Sequence, residues 1–183
     1  VIEIPRKGDW IATFTGKRFY PLDPRPEEID INDIVHALSN QCRFAGHCTK
    51  FYSIAQHSVL VSLLCDPADA LWGLFHDASE AYLVDIPSPL KRMPEFDAYR
   101  EAEKQMMMII CDVFGLPHEE PASVKVADKR ILATESRDLT VTEGRGWSTP
   151  LDPYEFHIEA WSPEYARVKF TSRLHELTWK RDK

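Results

Sequence analysis

An all-α fold is predicted for this chain, a helical bundle of five to six or more helices with a small N-terminal β-hairpin or extended arm. Apolar residues recur at helical spacing in successive segments that Pro and Gly separate. The stretch with strand-like aromatic spacing is short and surrounds Thr15-Gly16, and no internal repeat or low-complexity block disturbs the pattern.

The elements follow in order. From Asp9 to Pro21, Trp10, Ile11, Thr13, Phe14, Phe19 and Tyr20 flank the Thr15-Gly16 turn signal, which predicts the hairpin or arm, and Pro21, Pro24 and Pro26 then forbid helix. The first helix is expected over 31–44, capped by Asp30 or Asn32, with Ile31, Ile34, Val35 and Leu38 on one face and Gly46 as its stop. A second, over 53–64, aligns Ile54, His57, Val61 and Leu64, so His57 is expected to point inward with the apolar residues. Asp66-Pro67 breaks the chain before a third helix over 68–83, which buries Leu71, Leu74, Phe75, Ala78 and Tyr82 and carries His76, Asp77 and Glu80 along its flank. A proline-rich loop through Pro94 leads to a fourth helix over 97–114; its Met106-Met107-Met108 run reads as core filler, and Gly115 before Pro117 stops it. A fifth helix over 122–142 turns Val124, Ala127, Ile131 and Leu132 inward with Asp128 beside them, and a last one over 163–180 presents Tyr165, Val168, Leu174 and Leu177. The loop over 144–162, with Trp147, Pro150, Pro153, Phe156 and Trp161, is long for a connector and is expected to cover a pocket.

The length of 183 residues suits a single domain, divided into an N-terminal arm (1–30), a core (31–142), and a covering loop with the C-terminal helix (143–183). A formal net charge of −7 argues against binding a nucleic-acid polymer, because phosphate-backbone affinity requires clustered Lys and Arg. No apolar run is long enough to span a bilayer and no signal-peptide core is visible, so no membrane partner and a cytoplasmic location are expected. Cys42, Cys48, Cys65 and Cys111 form no CxxC pair and are expected as reduced thiols. The chain opens on Val1, so a start upstream is expected.

The chemistry is expected to centre on FHDASEAYLVDIPSPLK, residues 75–91. Taken singly, His57 reads as a hydrogen-bonded core histidine, Asp128 as a cap or ion-pair partner, and the adjacent His76-Asp77 as a chance dipeptide. Together they place metal-competent side chains on successive helices at otherwise apolar positions. Two buried carboxylates would repel, and a divalent cation neutralises both while using neutral imidazoles, so a site of His57, His76, Asp77 and Asp128 accounts for all four. Mixed N and O donors suit Zn, Mn, Co, Ni or Fe without choosing among them. Glu80, three residues after Asp77, reaches the same opening and is the candidate general acid or base; its ordinary alternative is a surface i to i+4 partner. Lys91 and Arg43 are the candidate phosphate-binding cations, with a helix C-terminal charge as the alternative for Arg43. Asp85 is a candidate acceptor for a sugar hydroxyl or a metal-bound water, its alternative an Asx turn before Pro87. His36, His47, His118, His157 and His175 lack matching spacing, and Cys42, His47 and Cys48 lack a fourth ligand for a second metal.

The order His57, His76-Asp77, Asp128 resembles the HD-domain metal-dependent phosphohydrolase superfamily. QHSVLVSLL at 56–64, HDASEAYLVDIPSPLK at 76–91 and VADKRILATESRDL at 126–139 are similar to successive motifs of its branch of YfbR-type 5′-deoxynucleotidases, and the resemblance covers most of residues 31–142. The N-terminal WIATFTGKRFYPLDPRPEEIDINDIVHALSNQCRFAGH is similar to small bacterial and phage HD hydrolases, including triphosphohydrolases of the DatZ type. The resemblance implies one divalent metal ion, phosphate release from a deoxynucleoside 5′-monophosphate, a pocket role for Arg43, and a homodimer or higher homo-oligomer. Its rivals are triphosphohydrolysis of a deoxynucleoside triphosphate, a nucleotide-binding regulatory module without turnover, and a helical scaffold whose HD pair is structural. One departure stands out: Val84 precedes Asp85 where that branch commonly has Gly. A β-branched residue almost never takes a positive φ, so the loop is expected to hold Asp85 differently.

Overall fold

The computed structural model describes residues 5–149 and 151–179; the Val1 start, Pro150 of the long loop and Lys180 of the last helix lie outside the described residues. The fold is an all-α bundle with a two-stranded antiparallel hairpin in front of it. Strands β1 (Ile11–Ala12) and β2 (Arg18–Phe19) pair Ile11 with Phe19 and Ala12 with Arg18, and Gly16 at φ 82° supplies the left-handed turn between them. Phe19 is fully buried and stacks on Tyr82 at 4.0 Å, which fastens the hairpin to the bundle.

Helix α1 (Ile31–Asn40) starts where the Asp30 carboxylate accepts the Asn32 N–H at 2.9 Å, and it buries Ile34, Val35 and Leu38. It ends four residues before the expected Phe44. Residues 41–43 turn extended because their backbone pairs elsewhere: Cys42 bridges Ser53, the Arg43 N–H donates to the Tyr52 carbonyl at 2.9 Å, and the Gln41 carbonyl accepts from Ile54 at 3.2 Å. Gly46 therefore does not stop α1. It closes a short 3-10 turn over Phe44–Gly46 in which all three residues have positive φ, 54°, 51° and 82°.

Helix α2 (Ile54–Leu64), capped by the Ser53 hydroxyl, runs through the middle of the bundle against α1, α3, α7 and α8, and it buries Ile54 through Val59 without a break. Helix α3 (Ala70–Phe75) is entirely buried, and Phe75 packs on Phe114 at 4.4 Å and Phe170 at 6.1 Å. The single helix expected over 68–83 is interrupted here. Pro67–Asp69 forms a 3-10 turn, and between α3 and α4 (Glu80–Leu83) the chain tightens into i to i+3 bonds, Ala78 N–H to Phe75 and Glu80 N–H to Asp77. The proline-rich loop contains the one-turn helix α5 (Ser88–Lys91), since Pro fits the first turn of a helix, where its missing N–H is not needed.

Val84 ends α4 at φ 64° and ψ 146°, so the expectation that valine would refuse this conformation is overturned. The Val84 N–H donates back to Glu80 and its carbonyl accepts the Tyr99 hydroxyl, so bonds on both sides hold the strained residue. Helix α6 (Asp97–Phe114) ends on left-handed Gly115 as its sequence predicts. Helix α7 (Ala122–Leu139) stops three residues before the expected Thr142; the Leu139 carbonyl accepts the Thr49 N–H at 2.8 Å, and Thr140 is extended. Helix α8 (Pro163–Trp179) closes the core with Ala166 and Phe170.

The long loop before α8 lies along α7 and α2. Arg137 donates to the carbonyls of Tyr154 at 2.8 Å and Phe156 at 2.6 Å, and Asp138 accepts the Ile158 N–H at 2.9 Å. Gln56 donates to the Glu159 carbonyl at 2.7 Å and accepts the Trp161 N–H at 2.9 Å. No helix of the described residues is long and apolar enough to cross a membrane.

Candidate metal centre

His57 from α2, His76 from the tightened turn after α3 and Asp128 from α7 converge, and Asp77 lies beside the two histidines. His57 Nε2 lies 3.0 Å from His76 Nε2, 3.3 Å from Asp128 Oδ1 and 3.5 Å from Asp77 Oδ2, and His76 Nε2 lies 3.2 Å from Asp77 Oδ2. His57, His76 and Asp128 form a cluster that can hold a metal ion. The other face of each imidazole is already committed. The Gly73 carbonyl, which can only accept, sits 2.8 Å from His76 Nδ1, and Glu135 Oε1 sits 2.6 Å from His57 Nδ1. Each neutral ring then carries its proton on Nδ1 and turns the Nε2 lone pair toward the same spot. Two such lone pairs 3.0 Å apart, next to two carboxylates, repel unless a proton or a cation stands between them, and the donor set fits a divalent ion.

The electrostatics agree with this reading. Burial works against ionised Asp77, but the His76, His57 and Arg43 charges hold its carboxyl well below the usual range. Asp128 is also lowered, with its hydrogen bond to His57 and the His57 and His76 charges overcoming burial. Burial and Arg43 push His57 down while Glu135 and Asp128 push it up, to about 9. The surplus of carboxylate calls for positive charge at the imidazoles, and a metal ion supplies it without protons.

The cluster sits at one side of a cavity of about 360 Å³. Glu80, 5% exposed, faces this cavity; its Oε2 is buried with no hydrogen-bond partner among the described residues, and burial together with Asp77 and Asp85 pushes its carboxyl well above the usual range. Lys91 lines the same cavity and is 2.7 Å from Glu103 and 3.9 Å from Glu80. Arg100, Lys104, Glu120 and Trp72 also line it.

Arg43 and Asp85 are placed differently from their neighbours in the predicted set. Arg43 is not at a helix end and does not line the cavity. Its guanidinium bridges Asp77 at 3.3 Å and Glu135 at 3.2 Å from behind the cluster. Asp85 is half-buried beyond Val84, outside the cavity lining, and acts on Glu80 through its charge. No described residue of the long 144–162 loop lines the cavity. A second cavity of about 370 Å³ lies between α1 and α8 and contains no member of the cluster.

Sequence reasoning missed Glu135 and Tyr52. Glu135 is fully buried and accepts from Tyr52 at 2.8 Å while it holds His57 and Arg43. Its signal is its spacing, seven residues and two helical turns after Asp128, on the same face of α7. Glu120 stands in the loop before Pro121 and has no comparable signal.

No family model matches the chain. The uncharacterized protein YfdR of Escherichia coli is 42% identical over 173 residues, spanning 92% of this chain and 96% of that protein. An uncharacterized protein of Rhodobacter capsulatus is 32% identical over 190 aligned positions, spanning 93% and 96%. The all-α fold and the His, His, Asp cluster are consistent with a metal-dependent hydrolase in general terms. At this identity and coverage, the chain belongs to the family of YfdR.

Proposed function

We propose that the protein is an HD-type phosphohydrolase that acts on small deoxynucleotides, most simply releasing phosphate from a deoxynucleoside 5′-monophosphate. The contacts of 3.0–3.5 Å that join His57 Nε2, His76 Nε2, Asp77 Oδ2 and Asp128 Oδ1, beside a cavity that the buried Glu80 faces, carry the reading. The four side chains would hold one divalent ion of Zn, Mn, Co, Ni or Fe, which when bound would supply the charge that acidifies water and offsets negative charge on the phosphoryl oxygens.

The remaining steps belong to the chain. Glu135 fixes the His57 tautomer, and Arg43 keeps Asp77 ionised and oriented. Glu80, whose carboxyl burial and neighbouring carboxylates push up, is the candidate proton donor to the leaving 5′-oxygen. Lys91, supported by Glu103, offers its ammonium to the phosphate across the cavity, and Trp72 gives an apolar wall. Incubating the protein with each of the five metals and a panel of deoxynucleoside monophosphates should release orthophosphate; no product with any of them refutes the reading.

Triphosphohydrolysis is the second reading, favoured by Arg100 and Lys104 lining the cavity along with Lys91. Tripolyphosphate as the product from deoxynucleoside triphosphates selects it.

A further inference from the structure

The cavity beside the metal cluster has a carboxylate that neither the cluster nor proton transfer uses. Five carboxylates line it, and four are engaged: Asp77 and Asp128 in the cluster, Glu80 beside it, and Glu103 with Lys91 at 2.7 Å. Glu120 is the fifth. Its side chain accepts no hydrogen bond among the described residues, and Lys125 Nζ, at 3.9 Å, is beyond hydrogen-bond reach. Pro117, His118 and Glu119 of the same loop are exposed, whereas Glu120 is half-buried and lines the cavity. The loop is fastened along its length. Trp72, itself part of the lining, donates its Nε1 proton to the Pro117 carbonyl at 2.9 Å, and His118 Nε2 lies 2.7 Å from Asp112. The Pro121 carbonyl accepts from Val124 at 3.1 Å and Lys125 at 3.2 Å as α7 begins, and a proline in that place disfavours helix at Glu120.

An ionised carboxylate can only accept, and holding one half-buried in a cavity that four other carboxylates line is costly unless a ligand donates to it. Burial pushes the Glu120 carboxyl above its ordinary value. A further phosphate at Glu120 would meet like charge, so its complement is a neutral donor. Asp85, the acceptor that the sequence offers for a sugar hydroxyl, lies outside the lining, which leaves that task to a group on the wall. We infer, on the nucleotide reading proposed above, that Glu120 is a specificity-determining residue of the cavity, the acceptor for one neutral hydrogen-bond donor on the nucleoside part of the substrate. With the phosphate held by the metal and Lys91, the nucleoside is the part left to meet Trp72 and Glu120. A deoxynucleotide carries that chemistry in two places, the sugar 3′-hydroxyl and an N–H of the base.

The test is equilibrium dialysis of the Mn-loaded full chain against deoxyadenosine 5′-phosphonate, whose P–C bond is not hydrolysed, and against two analogues, one lacking the 3′-hydroxyl and one lacking the base amino group. The native chain should bind one analogue about 10- to 100-fold more weakly than the parent, the range for a hydrogen bond to a charged group, and the weakened analogue names the donor. Glu120→Ala should bind the parent and that analogue alike, and Glu120→Gln, which keeps an acceptor, should restore part of the difference. Equal binding of all three phosphonates by the native chain, or an undiminished difference in Glu120→Ala, would overturn the assignment of Glu120 and leave the nucleotide reading standing. No binding of any phosphonate by the native chain would overturn both.

Discussion

Exchanging Glu135 for Gln alters one atom of a fully buried side chain that three others depend on: His57 at 2.6 Å, Tyr52 at 2.8 Å and Arg43 at 3.2 Å. The amide can still accept the His57 Nδ1 proton, so the ring can keep its place, but the negative charge that balances Arg43 is gone. Loss of one partner from a buried ion pair costs about 3–5 kcal/mol. Arg43 retains Asp77 at 3.3 Å, so the lower end, about 3 kcal/mol, is expected for unfolding of the metal-free protein. Arg43 then draws more strongly on Asp77, and a less basic His57 binds a cation less well. Loss of a carboxylate behind a metal-binding imidazole typically weakens binding about 10- to 100-fold. Urea unfolding of the metal-free protein reads the first effect, and competition with a chromophoric chelator for Mn or Zn reads the second. Tyr52→Phe, which removes one hydrogen bond and no charge, should cost about 1 kcal/mol and leave metal affinity within a few-fold. Wild-type metal affinity and stability in Glu135→Gln would refute the account of Glu135 as the group that orients His57.

Glu80→Gln should lower phosphate release by about 10²- to 10⁴-fold with the bound metal retained, as checked by elemental analysis; undiminished turnover removes Glu80 from proton transfer. Val84→Gly should raise stability by about 1 kcal/mol in urea melts, because the residue is 60% exposed and little apolar burial is lost when its positive φ is relieved; an unchanged or lower midpoint would show that Val84 carries no strain. Burial works against ionised Asp138, but the Arg137, Ile158 and His157 bonds win and lower its carboxyl to about 2 from an ordinary 3.8. A depressed folded pKa stabilises above the unfolded value and loses that contribution as pH falls towards 2, so the advantage of the native chain over Asp138→Asn should shrink from pH 5 to pH 3. Its full size is about 2 kcal/mol, nearer 1 with solvent screening; an advantage that grows on acidification would contradict the sign.

The fold was legible where local signals and packing agree. Asp30 caps α1, Gly115 ends α6, Thr15-Gly16 turns the hairpin, and the apolar stripe of α2 turns His57 inward. What escaped was decided by partners distant in sequence. Nothing around Gln41 predicts that its carbonyl will serve Ile54, and that pairing is what shortens α1 and turns Arg43 behind Asp77. The interruption at 76–79 was equally hidden, because His76, Asp77, Ala78 and Ser79 include no Pro or Gly to mark a break. Glu135 escaped because a glutamate within a helix ordinarily reads as a solvated residue; only Tyr52, His57 and Arg43 arriving from other segments make it an interior anion. Val84 shows the reverse error, a local preference overridden by the bonds on either side of it.

Gln56 imposes a chemical requirement of its own. Its NH₂ serves a carbonyl that can only accept, and its oxygen serves an N–H that can only donate. The amide therefore imitates a peptide group and pairs with the backbone of the 159–161 segment as a strand edge would. Glu would lack the donor and Lys the acceptor, so neither substitutes for it. Since Gln56 adjoins His57, letting go of that segment would also loosen the turn of α2 from which the imidazole projects.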